Sequence, residues 1–240
     1  MTISDIALGI TAIDRTITQD INQVVGHAPI ADLFIFYLAD MNLLKGVLFM
    51  AVAWYFWFRG DDIVRSHVVN MLVIALLAVA VGRLLQSSLP ARLRPLDDPS
   101  LGLLLPAHVS PAVLRNWSSF PSDHATLFFA MSAALAPISR RVAWAAAIWT
   151  AIIICLPRLY LGFHYASDLI GGALIGTAVA VIYLRLPSQR FSHAVVRLGK
   201  FSPGLFYAAG FVFTYELSIL MGDIRQLGAQ VLKLVHRLAS

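Results

Sequence analysis

The sequence predicts an all-α fold: a polytopic membrane helical bundle of about six transmembrane helices, with amphipathic interfacial helices at both ends. Three observations lead there. First, 59% of the 240 residues are hydrophobic and 13% are charged, against about 45–50% and about 25% in a soluble domain. Second, the apolar residues come in long runs separated by short polar stretches. Third, the cations are concentrated in a few of those stretches.

Taken in order, residues 3–25 repeat Ile6, Ile10, Ile13, Ile17, Ile21 and Val24 at steps of three or four, with Asp5, Asp14, Arg15, Gln19 and Asp20 on other faces. That pattern fits a helix lying in the interface, or one packed on a protein surface. Gly26-His27-Ala28-Pro29 breaks it, and a short apolar stretch runs to Asp40. Five strongly apolar segments follow, at 42–58, 66–88, 123–138, 142–162 and 165–184, and a weaker sixth at 204–222 carries Glu216. Several of these runs fall short of the roughly 20 residues a span needs. They reach it only by including the polar residues at their ends, so those residues are expected at one membrane face, near headgroup level.

Loops 59–65, 139–141 and 185–203 together carry a net charge of +6, and the rest of the chain −1. The positive-inside rule puts those loops in the cytoplasm, and hence the polar cluster and both termini outside. The basic balance therefore reports membrane orientation and gives no ground for nucleic-acid binding. Gly172, Gly176 and Ala180 form a small-residue stripe suited to close helix packing. Residues 223–239 repeat Ile224, Leu227, Val231, Leu234 and Leu238 on one face, which reads as a second interfacial helix. The single cysteine, Cys155, excludes an intrachain disulfide. The N-terminus has neither the basic start nor the cleavage site of a signal peptide. The whole of 1–240 reads as one membrane domain.

Chemistry concentrates in three polar stretches at the ends of apolar segments: Arg92-Leu-Arg94-Pro95, Phe120-Pro-Ser122-Asp123-His124, and Arg158…His164…Asp168. His164 and Asp168 are four apart, so on a helix the carboxylate can hold the imidazole. An arginine–aspartate structural pair with a bystander histidine would use the same residues. Together the stretches supply arginines, a serine hydroxyl and helix-start amides, groups that bind phosphate oxygens. They also supply two histidines, one able to attack phosphorus and one able to protonate a leaving oxygen. No acidic pair or Cys/His spacing suggests a metal.

These stretches resemble the type 2 phosphatidic acid phosphatase (PAP2) superfamily, whose pattern is Lys-x6-Arg-Pro, Pro-Ser-Gly-His and Ser-Arg-x5-His-x3-Asp. The match is Arg94-Pro95, Pro121-Ser122-Asp123-His124, and Arg158-x5-His164-x3-Asp168, in order, with the resemblance covering about residues 20–186. Phe-Pro-Ser-Asp-His-Ala-Thr at 120–126 looks like the bacterial undecaprenyl-diphosphate phosphatases of that superfamily. The resemblance implies that His164 is the nucleophile and forms a phosphohistidine. Asp168 orients it. His124 is the general acid, then the base that activates water. Arg94, Ser122 and Arg158 hold the phosphoryl oxygens, and Asp123, at the family's glycine, joins that set. It also implies a lipid phosphate or diphosphate substrate, no metal, no cofactor, and a bacterial inner membrane location with the site facing outward.

Three positions depart from the pattern: Ser87 for the lysine, Pro157 for the serine before Arg158, and Asp123 for the glycine. Arg83 lies one turn from Ser87 on the same helix face, about 6 Å along the axis, and is favoured over Arg92 as the replacement cation. Phosphatidic acid or phosphatidylglycerophosphate hydrolysis, or phosphotransfer to another lipid, would use the same groups. A lipid-binding or transport protein with a degenerate site is the alternative from a different class, motivated by Ser87 and Pro157.

Overall fold

A computed structural model describes residues 3–105, 109, 117–186 and 189–223, and every described element is helical. Helix α1 (Ile3–Asn22) and α2 (Pro29–Asp40) precede α3 (Gly46–Arg59) and the 27-residue α4 (Asp62–Ser88). After two short 3-10 turns come α5 (Asp123–Ala134), α6 (Arg140–Trp149), α7 (Leu156–Tyr160), α8 (Ala166–Arg185), α9 (Gln189–Phe201) and α10 (Pro203–Ser218). A π-helical segment, Thr150–Cys155, joins α6 to α7, so Arg140–Tyr160 runs as one rod. Asp61 starts α4 by accepting from the amides of Ile63 and Val64.

Three of these helices are long and apolar enough to cross a membrane: Asp62–Ser88, Arg140–Tyr160 and Ala166–Arg185. The other expected spans are shorter helices, 14 residues in α3, 12 in α5 and 16 in α10. Helix α5 is the centre of the bundle, packed between α4, α6 and α8. Its Leu127, Phe128 and Met131 are fully buried, so its apolar character serves the protein core. The segment 185–203, expected as a loop, is largely helical. In α9, Ser192 and Val196 are buried while Phe191 and Leu198 face out, and the helix lies on α4, where Ser66 Oγ is 3.2 Å from His193 Nδ1. The charges from which a cytoplasmic loop is expected also fit the polar positions of an amphipathic helix.

In helix α1, Asp14, which lies off the isoleucine ridge, is buried, whereas Ile10 and Ile13 on that ridge are exposed. The expected tail helix 223–239 lies outside the described residues except for Asp223, as do His108, His236 and residues 110–116 of the loop 96–120.

Small residues set the spacing that brings the polar stretches together. A Cβ on Gly176 would sit 2.0 Å from the Thr126 carbonyl oxygen, and one on Gly172 2.8 Å from that of Ser122. The stripe read from sequence thus seats α8 directly on α5. The N-termini of the two helices lie side by side, and the Ser122 amide donates to the Asp168 carbonyl at 3.2 Å. Gly162, at φ +70°, turns the chain after α7 so that its carbonyl accepts from the Leu96 amide at 3.0 Å. That bond ties the Arg94 turn to the segment carrying His164.

Candidate active site

His164 is buried in the connection between α7 and α8. Its Nδ1 is 2.9 Å from the Ser119 carbonyl and its Nε2 is 3.3 Å from Arg94 Nη1. A carbonyl only accepts and a guanidinium only donates. The network therefore assigns the proton to Nδ1 and leaves the Nε2 lone pair facing Arg94. Burial pushes the His164 pKa below its ordinary value; the neighbouring Asp168 acts in the opposite direction. The neutral ring with an unprotonated Nε2 is the form that attacks an electrophile, once the Arg94 contact gives way to substrate.

Asp168 is fully buried in the first turn of α8. It accepts from the Tyr165 amide at 2.8 Å, from Arg92 Nη1 at 2.6 Å, and from the Ser119 hydroxyl. Its distance to His164 Nδ1 is 3.8 Å, an ion-pair distance rather than a hydrogen bond. The expected carboxylate–imidazole hydrogen bond is thus replaced by a carbonyl contact from Ser119, which Asp168 holds through the serine hydroxyl.

Arg94 donates to the Phe163 carbonyl at 2.7 Å, and its Nε is buried with no hydrogen-bond partner. Ser122 is fully buried, its Oγ has no partner, and it does not cap α5. Buried polar atoms left in this state call for an explanation. These two belong to a turn and a helix start that converge on His164 and Asp168, and both are suited to an anion's oxygens. His124 lies in the first turn of α5, within electrostatic reach of Arg158, Lys45, His164 and Arg94. Arg158 is buried, but its guanidinium turns to the carbonyls of Ile154 at 2.6 Å and Ala39 at 3.2 Å.

The remaining sequence candidates are engaged with one another. Arg83 pairs with Asp123 at 2.8 Å and stacks 4.3 Å over Trp117. Asp123 also accepts from Gln86 at 2.8 Å. The Asp123 side chain cannot donate to phosphate oxygens while ionised, so its place in the phosphate-binding set is confined to its backbone. Arg92 bridges Asp14 and Asp168, each at 2.6 Å, and lies 4.2 Å over the Tyr165 ring. Ser87 is exposed and bonds back to Leu84. Sequence reasoning missed the Ser119 carbonyl, Asp14 and Lys45. Lys45 carried a signal, being a lone cation inside an apolar run. Among the described residues there is no group of three or more His, Cys, Asp or Glu that could hold a metal ion.

The family model of the PAP2 superfamily matches residues 68–192, more than half of the chain. The chain belongs to the PAP2 superfamily. It is similar to undecaprenyl-diphosphatase BcrC of Bacillus subtilis, 23% identical over 184 residues, which cover 76% of this chain and 89% of that one. It is similar as well to the bacitracin transport permease protein BcrC of Bacillus licheniformis, 24% identical over 168 residues, covering 68% and 76%. Among solved structures, the PAP2 type phosphatidylglycerolphosphate phosphatase of Bacillus subtilis superposes with a TM-score of 0.48 at 17% identity, covering 73% of this chain and 85% of that one. With three apolar helices of spanning length, the chain is an integral membrane protein of a lipid phosphatase family.

Proposed function

We propose that the protein hydrolyses undecaprenyl diphosphate to undecaprenyl phosphate and inorganic phosphate through a phosphohistidine. One observation carries the reading: His164 Nε2 faces Arg94, next to a cluster in which Arg94 Nε and Ser122 Oγ are buried without protein partners. A relative named as an undecaprenyl-diphosphatase, 89% of whose length is covered, supports the choice of lipid.

In this reading His164 Nε2 attacks the terminal phosphorus. The bond to the bridging oxygen breaks, and His124 gives that oxygen its proton, releasing the lipid monophosphate. Water, deprotonated by His124, then attacks the phosphohistidine and frees inorganic phosphate and the His164 ring. Arg94, Arg158, Ser122 and the first-turn amides of α5 stabilise the charge on the transferring group, which is most of what phosphoryl transfer asks of a protein. Among these, Arg158 must leave one of its carbonyls or reach the substrate with its remaining N–H groups. The net charge of +6 carried together by 59–65, 139–141 and 185–203 supports a bacterial inner-membrane orientation with the site facing the periplasm or cell exterior.

The test is phosphate release by purified protein from undecaprenyl diphosphate, phosphatidic acid and phosphatidylglycerophosphate, in EDTA. Preferred turnover of undecaprenyl diphosphate is the expected result. Preference for a glycerolipid monophosphate would reassign the substrate, and metal-reversible loss of activity would overturn the site chemistry.

A further inference from the structure

Five cations surround the three motifs, and two are neutralised: Arg83 by Asp123, Arg92 by Asp14 and Asp168. The other three are Arg94, Arg158 and Lys45, and among the described residues none has a carboxylate within 4.0 Å. Lys45 belongs to no motif. It stands just before α3 and is the one Lys or Arg between residues 16 and 58.

Lys45 is buried, at 4% exposure, as is Arg158. Its Nζ donates to the carbonyls of Ala39 at 2.9 Å and Asp40 at 2.8 Å, at the C-terminal end of α2. Arg158 Nη2 donates to the same Ala39 oxygen at 3.2 Å. One carbonyl therefore holds two positive side chains, whose nitrogens are no more than about 6 Å apart and repel each other. A helix C-terminus carries only about half a negative charge, which falls short of balancing Lys45 and Arg158 together. Asp40 is the acid within electrostatic reach of both, but it contacts neither within 4.0 Å, and a buried like-charge pair with no carboxylate in contact is costly unless an anion enters between the charges. Both side chains also act electrostatically on His124, so such an anion would lie within the field felt by the histidine assigned to protonate the leaving oxygen.

We propose that Lys45 is a substrate-binding residue which, paired with Arg158, seats a phosphate group of the lipid diphosphate and sets the preference for diphosphates over monophosphates. This rests on reading the site as a lipid-diphosphate phosphatase. A diphosphate carries more negative charge than a monophosphate, and it is the larger anion that needs the third cation. The proposal also locates the charge that neither Ser87, exposed on α4, nor the neutralised Arg83 and Arg92 supplies.

The test compares the full-length protein in detergent with Lys45→Gln, which keeps a donor for the Ala39 carbonyl but loses the charge, and with Lys45→Arg, which keeps the charge. Binding of inorganic pyrophosphate and of inorganic phosphate is measured by calorimetry, alongside KM and kcat for undecaprenyl diphosphate. Lys45→Gln is expected to weaken pyrophosphate binding by about 10- to 100-fold, to weaken phosphate binding less, and to raise KM more than it lowers kcat. Lys45→Arg should bind pyrophosphate close to wild type. Unchanged pyrophosphate affinity in Lys45→Gln overturns the proposal, and so does an equal loss in both variants, which marks a cap on α2. Should Lys45→Gln not fold, Lys45→Met is judged by the same two affinities. A wild-type protein that binds pyrophosphate through Lys45 but leaves undecaprenyl diphosphate intact supports the role of Lys45 while overturning the choice of lipid.

Discussion

The imidazole of His164 is held by the backbone carbonyl of Ser119, 2.9 Å from Nδ1, and not by a carboxylate. The Ser119 hydroxyl in turn donates to Asp168. Ser119 thus does with its main chain what Asp168 was expected to do with its side chain, and this ranks the effects of substitution. His164→Ala should lose turnover entirely, and His124→Ala about 100- to 10,000-fold, as for a lost general acid. Ser119→Ala keeps the carbonyl and should cost only about 10- to 100-fold, the worth of one hydrogen bond to a charged group. Initial rates of phosphate release check the order. A Ser119→Ala enzyme as inactive as His164→Ala would show that the hydroxyl, not the carbonyl, holds the ring.

The depressed pKa of His164 has a direction that can be tested. Nucleophilic attack needs the neutral ring, and a lowered pKa keeps the ring neutral to lower pH. The acid limb of kcat/KM should therefore lie below the ordinary histidine value of about 6.5. Asp168 raises the His164 pKa, so Asp168→Asn should move the limb further toward acid while reducing the rate. An acid limb at or above the ordinary value, unmoved in Asp168→Asn, would assign it to a different group.

Arg83 was favoured from sequence as a phosphate-binding cation, yet it lies against Asp123 at 2.8 Å. Arg83→Ala should raise KM for the diphosphate because it exposes the Asp123 charge to the substrate. In that case Arg83→Ala/Asp123→Gly, which removes both charges, recovers most of the loss. If the double variant is no better than the single one, Arg83 itself contacts the substrate. The paired substitutions separate direct binding from neutralisation.

Helix α8 touches α5 most closely at Gly176, where a Cβ would stand 2.0 Å from a backbone oxygen. Gly176→Leu should cost more than the roughly 1–3 kcal/mol typical of overpacking, because the atom in the way is main chain and cannot rotate aside. The thermal unfolding midpoint and residual activity should fall together, since the same contact holds Ser122 against Asp168. A variant that loses stability at full activity would show that the two motifs are positioned by the loops alone.

The features legible in the sequence were those written locally. The nearness of His164 and Asp168, though not the hydrogen bond expected between them, follows from a four-residue step, and the glycine stripe from a four-residue repeat. The three motifs sit at element ends because polar residues interrupt apolar runs there. What could not be read arises between distant segments. Hydropathy alone does not separate the buried α5 from a lipid-facing helix, because both are apolar all round. The periodicity places Asp14 off the isoleucine ridge and says nothing of what covers it. Its partners, Arg92 and Ser167, are visible only once α4 and α8 are in place. The carbonyl of Ser119 leaves no trace in residue identity at all.

The burial of Asp14 imposes an order on assembly. Its partners lie 78 and 153 residues further along the chain. At about 5–20 residues per second, the ribosome delivers Ser167 some 8–30 s after Asp14. For that interval the first helix has been made, but the docking site for its carboxylate has not. Ile10 and Ile13, which stay exposed in the finished fold, give α1 somewhere to wait. It can rest on the membrane surface with Asp14 toward water, then roll onto the bundle when α8 inserts. The helix that completes the Asp168 cluster would thus be the one that locks the first in place, and a chain stalled before it would have Arg92 and no closed site.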